Sequence, residues 1–253
     1  MRVLCMTTST PASSVALTED RQVIASASRI DSRGHSAFLV PAIDFCFDQA
    51  GWTPMDIDAV VVDVGPGLYT GIRVGLSTAQ GIAAAIGAPL VPATSLDAIA
   101  LRAATGRRRI LALVDVRRGE YAAAWYNPVP GGGVKDGRPE IMTAPEVRAM
   151  LDSEPEDVLL VGDTQSLPEE LLTGMHRVKI GRPRYPSAGT LAEAAAGQLL
   201  SDATLHPDEV RPMYLRDPDV SINWSIIDDP VSYTHLRAHE TNDLISYAVF
   251  CLK

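Results

Sequence analysis

The sequence predicts an α/β protein with two lobes, and three features of its element order support this fold class. Three short strands open the chain, at residues 2–6, 14–17 and 23–28, with turn-rich links between them. Helical and strand patterns then alternate, which is typical of a sheet covered by helices. A second series of strands follows farther along the chain. We therefore predict two lobes, residues 1–106 and 107–229, each containing a mixed sheet flanked by helices.

The first predicted helix has an unusually wide apolar face. Apolar residues of the segment HSAFLVPAIDFCFDQA recur at helical spacing, and Gly51 provides a suitable end. Phe38, Phe45 and Phe47 cannot all point in one direction from a single helix. The pattern therefore predicts a second buried surface in addition to the core of the lobe.

A glycine-rich turn separates a buried strand at residues 59–64 from a helix at residues 69–86. That helix contains Gly71, Gly75 and Gly81, and glycine costs about 1 kcal/mol per helix position relative to alanine. We expect close packing against another helix or the sheet to offset this cost. A short strand at residues 90–92 follows, and Ser95 is predicted to cap a helix that ends near Thr105.

The second lobe begins with a predicted hairpin. Strands at residues 110–115 and 120–126 are joined by VRRG, and the segment NPVPGGGVKDGRP is predicted to be a loop. Further strands at residues 158–162 and 175–180 and a helix at residues 187–201 complete the pattern. The segment RPMYLR is expected to close this lobe.

Charge and cysteine content restrict the classes of function. The chain has 253 residues and a formal net charge of −9, which disfavours charge-driven binding of nucleic acid. The basic run Arg107–Arg109 is interpreted as solvated loop ends, with an RNA contact as the alternative. Three separated cysteines without a CxxC motif argue against a disulfide framework or a thiolate zinc site. We expect a cytoplasmic protein that does not span a membrane.

Metal and nucleophile chemistry find little support. His235 and His239 share a helical spacing, but residues 230–253 resemble a translated sequencing-adapter read-through and are predicted to be a non-native tail. His35, His176 and His206 show no ligand spacing. We therefore predict no metal site, no catalytic residue and no peptidase activity. Asp115 and Glu120 are interpreted as hairpin charges that meet Arg117, Arg118 or a partner subunit, with an acid/base pair as the alternative.

Several segments, in order, resemble one protein family. GPGLYTGIRVG at residues 65–75 is similar to the signature of the TsaB (YeaZ) family, which serves the synthesis of threonylcarbamoyladenosine in tRNA. The opening MRVLCMTTSTPASSVAL, HSAFLVPAID, VDVRRGEYAAAWY and RPMYLR also match. The resemblance spans residues 1–224 and implies an actin-like ATPase (RNase H-like) fold. It further implies a non-catalytic subunit that acts through a TsaD-type catalytic paralogue, with a TsaE-type ATPase and with tRNA reached through the complex.

The resemblance also implies where partners and ligands would bind. Docking would use the first two long helices, and the interface candidates are His35, Phe38, Leu39, Ala42, Ile43, Phe45, Gly75 and Ala79. A homodimer is expected when the paralogue is absent. The candidates for an anion-binding turn are Gly65, Gly67, Thr70, Gly71 and Arg73. No cofactor is expected for the chain alone, and ATP or ADP at a subunit interface stays open.

One departure from the family pattern bears on catalysis. Thr7 stands where the family often has Asp after the first strand, and a hydroxyl cannot supply the negative charge that places Mg²⁺ beside phosphate. This favours a scaffold over the alternative, an autonomous ATPase or phosphotransferase of the same fold.

Overall fold

Two five-stranded sheets of the same strand order form the framework of the computed structural model. It describes residues 1–103, 106–129, 132–201 and 205–216, and the segment Met1–Arg216 is one compact unit. The predicted non-native tail, with its two histidines and Cys251, lies outside the described residues. The division into two lobes at residue 106 stays a prediction. Within the described residues, no helix is both long and apolar enough to cross a membrane.

The first sheet is mixed. Its strands are β1 (Arg2–Thr7), β2 (Ala12–Glu19), β3 (Gln22–Ile30), β4 (Ala59–Asp63) and β5 (Leu90–Ala93). In the order β3-β2-β1-β4-β5, the first three strands of the chain pair antiparallel, and β1, β4 and β5 pair parallel. Its helices are α1 (His35–Ala50), α2 (Tyr69–Ile86) and α3 (Ser95–Ala103). The predicted boundaries of α2 and the helix end at Gly51 are confirmed.

The second sheet repeats this arrangement. Its strands are β6 (Arg109–Arg117), β7 (Glu120–Val129), β8 (Gly132–Thr143), β9 (Val158–Gly162) and β10 (Val178–Ile180), in the order β10-β9-β6-β7-β8. The remaining helices are α4 (Ala144–Ser153), α5 (Ala188–Ala194) and α6 (Ala196–Leu199), with short 3₁₀ helices at Pro54–Asp56, Thr164–Ser166, Glu169–Leu172 and Pro207–Glu209. The predicted α/β fold with two mixed sheets flanked by helices is confirmed.

Both faces of the first sheet are buried. The alternation along β1 turns Leu4 and Met6 towards α1 and α2, and turns Val3 and Cys5 towards α5. Burial raises the pKa of the Cys5 thiol to about 12, so this cysteine is a core residue as predicted. Helix α3 packs between the two sheets. Ala98 contacts the core of the first sheet, whereas Leu96 and Ile99 contact the core of the second sheet.

Two boundary predictions for the second half are wrong. The segment NPVPGGGVKDGRP is not a loop, because most of it belongs to β7 and β8. Strand β8 lies at the edge of its sheet, where proline and glycine are tolerated since one side needs no ladder bonds. The last predicted strand is also shorter, because only Val178–Ile180 pairs with β9.

The helix cap and the closing segment also differ from expectation. Thr94 caps α3, because its hydroxyl accepts the Asp97 N–H at 3.1 Å, whereas Ser95 lies within the helix and bonds elsewhere. The segment RPMYLR reaches both sheets and not the second alone: Leu215 packs against the core of the second sheet, and Arg216 pairs with Glu120 of β7. Its Met213 N–H donates to the Val64 carbonyl at 2.8 Å, which returns the chain to the first sheet.

The glycines of α2 have different environments. A Cβ on Gly71 would lie 2.0 Å from the Thr8 carbonyl oxygen, and one on Gly75 would lie 2.5 Å from the Thr8 hydroxyl. The β1–β2 loop therefore packs directly on the backbone of α2, as predicted for close packing. Gly81 is exposed and has nothing within 4 Å, so the packing explanation is wrong for this glycine.

Two substitutions on this one helix should have opposite effects. We expect Gly71→Ala to lower the free energy of unfolding by about 2 kcal/mol or more, because the new methyl group would overlap backbone. Gly81→Ala is the control and should raise it by about 0.5–1 kcal/mol, since alanine is the better helix former. Urea unfolding followed by circular dichroism measures both. Equal effects of the two substitutions would contradict the packing described here.

Candidate functional site

A buried carboxylate lies where the first two parallel strands end. Asp63 is the last residue of β4 and is only 1% exposed. Its oxygens accept hydrogen bonds from the hydroxyls of Thr7 at 2.7 Å, Ser9 at 2.5 Å and Ser95 at 2.8 Å. The Gly65 N–H donates to the same carboxylate at 2.8 Å. One side chain thus connects β1, the β1–β2 loop, the turn after β4 and α3.

The electrostatics of this cluster follow from burial. Removal from water raises the pKa of Asp63, and the donors from Ser9, Thr7, Gly65 and Ser95 act in the opposite direction. Among the described residues, every donor to this carboxyl group is a neutral hydroxyl or backbone N–H, so one buried side chain determines the composition of the whole cluster.

The structure explains the unusual Thr7. Strands β1 and β4 pair in parallel with Met6 beside Val62, so Thr7 and Asp63 are adjacent at the same sheet edge. The carboxylate expected on the first strand is here supplied by the neighbouring strand. Sequence reasoning missed Asp63, although a single Asp closing the apolar run AVVVD before the glycine turn was a usable signal.

The glycine turn before α2 is shaped by packing against the same loop. Gly65 has φ of +103°, and a Cβ on Gly67 would lie 2.1 Å from the Ser9 carbonyl oxygen. That carbonyl accepts the Leu68 N–H at 2.6 Å. Of these two candidates for anion binding, Gly67 is required by the close approach of the β1–β2 loop, and Gly65 is required by its positive φ. Of the other candidates, Gly71 packs on Thr8 and Thr70 is exposed at the start of α2.

Arg73 has a partner that the sequence did not reveal. Arg73 is a candidate for the anion-binding turn, and in the structure its Nε donates to the Tyr214 hydroxyl at 2.8 Å. The guanidinium also lies 4.1 Å from the centre of the Tyr69 ring, and the two tyrosine rings stack at 5.1 Å. The three side chains hold the returning segment against the N-terminus of α2.

The three histidines that the structure describes do not come together. His35 is buried, with Nδ1 at 2.7 Å from the Ser13 hydroxyl, and its Nε2 has no hydrogen-bond partner among the described residues. Burial lowers the pKa of His35, and Asp31 opposes this shift. His176 and His206 are exposed on other elements. In the part of the chain that the structure describes, no three His, Cys, Asp or Glu side chains are placed to hold a metal ion.

Most of the interface candidates lie in the core of the chain itself. Phe38 is partly buried, and Phe45 is the exposed candidate, at 48%. The buried candidates are His35, Leu39, Ala42, Ile43, Gly75 and Ala79. A partner would therefore meet the outer face of α1, where Val40 is 62% exposed, rather than these buried residues.

The remaining charged candidates have structural contacts. Asp115 accepts the Arg117 N–H at 2.6 Å within the hairpin turn, and Glu120 pairs with Arg216 at 2.9 Å. Arg108 pairs with Asp157 at 2.7 Å, and Arg109 lies over the Trp125 ring at 4.5 Å. The basic run is thus tied to the second sheet, apart from Arg107, whose side chain is exposed.

The repeated sheets define the class of protein, an actin-like fold in which each half carries the same five-stranded order. A solved structure of an uncharacterised Pseudomonas aeruginosa protein with similarity to peptidase YeaZ matches with a TM-score of 0.72 and 25% identity, covering 85% of this chain and 99% of that one. A second structure, YeaZ from Pseudomonas aeruginosa, matches with a TM-score of 0.70 and 23% identity, covering 84% and 100%.

Sequence comparisons identify the family. The chain is 28% identical over 221 residues to the Escherichia coli tRNA threonylcarbamoyladenosine biosynthesis protein TsaB, covering 86% of this chain and 95% of that protein. It is 30% identical over 222 residues to an uncharacterised protein of Mycobacterium tuberculosis, covering 86% and 92%. A family model described as TsaD, tRNA N6-adenosine threonylcarbamoyltransferase, matches residues 23–131. The chain belongs to the TsaB (YeaZ) family.

Asp63 gives the protein a specific dependence on pH. Because burial raises its pKa in the folded state, the unfolded chain ionises first as the pH rises from about 4. The contribution of Asp63 to stability is therefore complete below the unfolded pKa and is lost as the pH passes the folded pKa. We expect Asp63→Asn to flatten this fall in the free energy of unfolding, measured by urea titration across the pH range.

The exposed Asp44→Asn on α1 is the control, because it removes one carboxylate without touching the cluster. It should leave the slope as in the unsubstituted protein. An unchanged slope in Asp63→Asn would show that Asp63 ionises in both states at the same pH.

The position of the carboxylate can be tested by exchange. Thr7→Asp alone would bury two carboxylates side by side, and we expect a loss of about 3 kcal/mol or more at pH 7. Adding Asp63→Thr should recover at least about 1 kcal/mol relative to the sum of the single changes, because one carboxylate is then restored. Chemical denaturation of the four proteins completes the cycle. Simple additivity would refute the idea that the two strand ends share one carboxylate position.

Proposed function

We propose that this protein is the non-catalytic subunit of the complex that transfers a threonylcarbamoyl group to the adenosine beside the anticodon of tRNA. The observation that carries the proposal is membership of the TsaB family across most of the chain. The transfer itself would be performed by the TsaD-type paralogue. A TsaE-type ATPase would join the complex, and tRNA would be reached through it.

The docking surface would be the outer face of α1 beside that of α2. On α1, Ala37, Val40, Pro41 and Phe45 recur at helical spacing and are exposed. Helix α2 lies next to α1 and turns small residues outwards, including Ser77, Gly81 and Ala84. An apolar face beside a small-residue face lets two helices of a partner approach closely.

The proposed partner has matching architecture. The TsaD family model covers residues 23–131, which include α1 and α2. A TsaD-type paralogue would thus present helices of the same kind, and the two chains would pair about an approximate two-fold axis. A second copy of this chain would take the same surface when the paralogue is absent.

The alternative of an autonomous ATPase is not favoured. A Mg²⁺ ion at the first phosphate turn needs an accessible carboxylate, but Asp63 is enclosed and already accepts from four donor groups. The residues present do not fit that ion. Nucleotide binding at a subunit interface, without hydrolysis by this chain, remains part of the proposal. The buried thiols of Cys5 and Cys46 suit the cytoplasm, where we place the protein.

Reconstitution tests the proposal. The TsaD- and TsaE-type proteins and tRNA from the same organism are mixed with threonine, bicarbonate and ATP, and modified adenosine is measured with and without this chain. We expect modification to require the chain. We expect Val40→Asp/Phe45→Asp to reduce it at least tenfold, because two charges would be buried at the interface.

Val134→Asp is the matched control, because Val134 is 57% exposed on the edge strand of the second sheet. It should support modification as the unsubstituted protein does. Failure of the chain to support modification, with partners active alongside an established TsaB, would overturn the function. Full activity of the double variant would be compatible with the proposed function but would refute the proposed docking face.

A further inference from the structure

We propose that a second site, distinct from the Asp63 cluster, binds a phosphorylated small molecule. A cavity of about 380 Å³ lies between the start of β2 and the end of β3, the end of α3 and the segment after β10. Cavities of this size commonly hold small ligands. Its lining includes the four arginines Arg29, Arg102, Arg182 and Arg184, and no acidic side chain among the described residues.

Two of the arginines are held in place and two are not. Arg29 pairs with Asp31 at 2.6 Å, and Arg184 pairs with Asp163 at 3.1 Å while lying over the Tyr185 ring. Arg102 and Arg182 make no ion pair or hydrogen bond with any residue that the structure describes. Four guanidinium groups thus have only two nearby carboxylates as partners, so the cavity carries a net positive charge. The chain as a whole has a formal net charge of −9.

Hydroxyl groups complete the donor set. Ser14 and Ser28 also line the cavity, as do Ser13 and Ser187, whose hydroxyls already contact His35 Nδ1 at 2.7 Å and the Thr190 hydroxyl at 3.0 Å. Ser14 is buried and accepts the Ala188 N–H at 2.6 Å, which leaves its own hydrogen free to donate. Guanidinium groups and hydroxyls are the donors that bind phosphate oxygens, and arginine does so in a two-pronged geometry.

The dimensions favour a small ligand over RNA. All four arginines line this one cavity, and Arg182 and Arg184 also line a neighbouring one. The overall negative charge opposes an extended polyanion. A ligand with one or two phosphate groups matches both the charge and the volume. This inference stands on the cavity alone and does not depend on the proposed role in tRNA modification.

Direct titration of the full chain tests the site. Isothermal titration calorimetry at low salt uses ADP, inorganic pyrophosphate and adenosine as probes. We expect saturable binding of ADP or pyrophosphate and none of adenosine. Arg102→Gln/Arg182→Gln should weaken binding about tenfold or more, because charge-assisted hydrogen bonds to phosphate are lost.

Arg177→Gln is the matched control, since Arg177 is an exposed arginine at the other end of β10. It should bind the probes as the unsubstituted protein does. No saturable binding of ADP or pyrophosphate would overturn the proposal, as would equal weakening by the control. Binding of single-stranded RNA, but of neither small probe, would also overturn it and assign the arginines to RNA.

Discussion

The buried carboxylate of Asp63 is the constraint on which the architecture of the first sheet depends. It joins the ends of two parallel strands, the loop that follows β1 and the start of α3 through hydrogen bonds from neutral groups. A buried carboxyl group is tolerated in a core when its oxygens have hydrogen-bond partners. The surrounding serine, threonine and glycine residues are therefore determined together. Gly67 in the turn before α2 belongs to the same arrangement, because the Ser9 carbonyl approaches it closely.

The second sheet also has a buried acidic residue at the end of a strand, but this residue has a different kind of partner. Its fourth strand, β9, also ends beside a buried acid, Asp163, and burial raises the pKa of that residue too. Here the opposing influence is a cation, since Arg184 pairs with the carboxylate. The two halves of the fold thus share the position of an acid at a strand end but differ in how its charge is stabilised. The partners of Asp63 are neutral groups, whereas Asp163 pairs with Arg184, which lines the arginine-rich cavity.

Local periodicity predicted much of the fold, and long-range contacts explain where it did not. Helix α2 has its predicted ends, since the glycine turn precedes it, and the structure shows that Gly87 ends it in the left-handed conformation. The hairpin partner β8 was missed because edge strands accept the proline and glycine that usually indicate a loop. At the candidate site, the sequence indicated the glycine turn and the departure at Thr7. It did not indicate Asp63 as the compensating acid or Tyr214 as the partner of Arg73. Those pairings join residues about 56 and 141 positions apart, and no local pattern encodes them.

The return of the chain to the first sheet has a consequence for the order of synthesis. Helix α5 covers one face of that sheet, and Met213 completes the edge of the turn after β4. During translation, the strands of the first sheet emerge early, but the helix that covers this face is among the last elements described. Until then, apolar side chains such as Val3 and Val61 have no cover on this face. Nascent chains stalled before α5 should thus carry an apolar surface of the kind that chaperones bind.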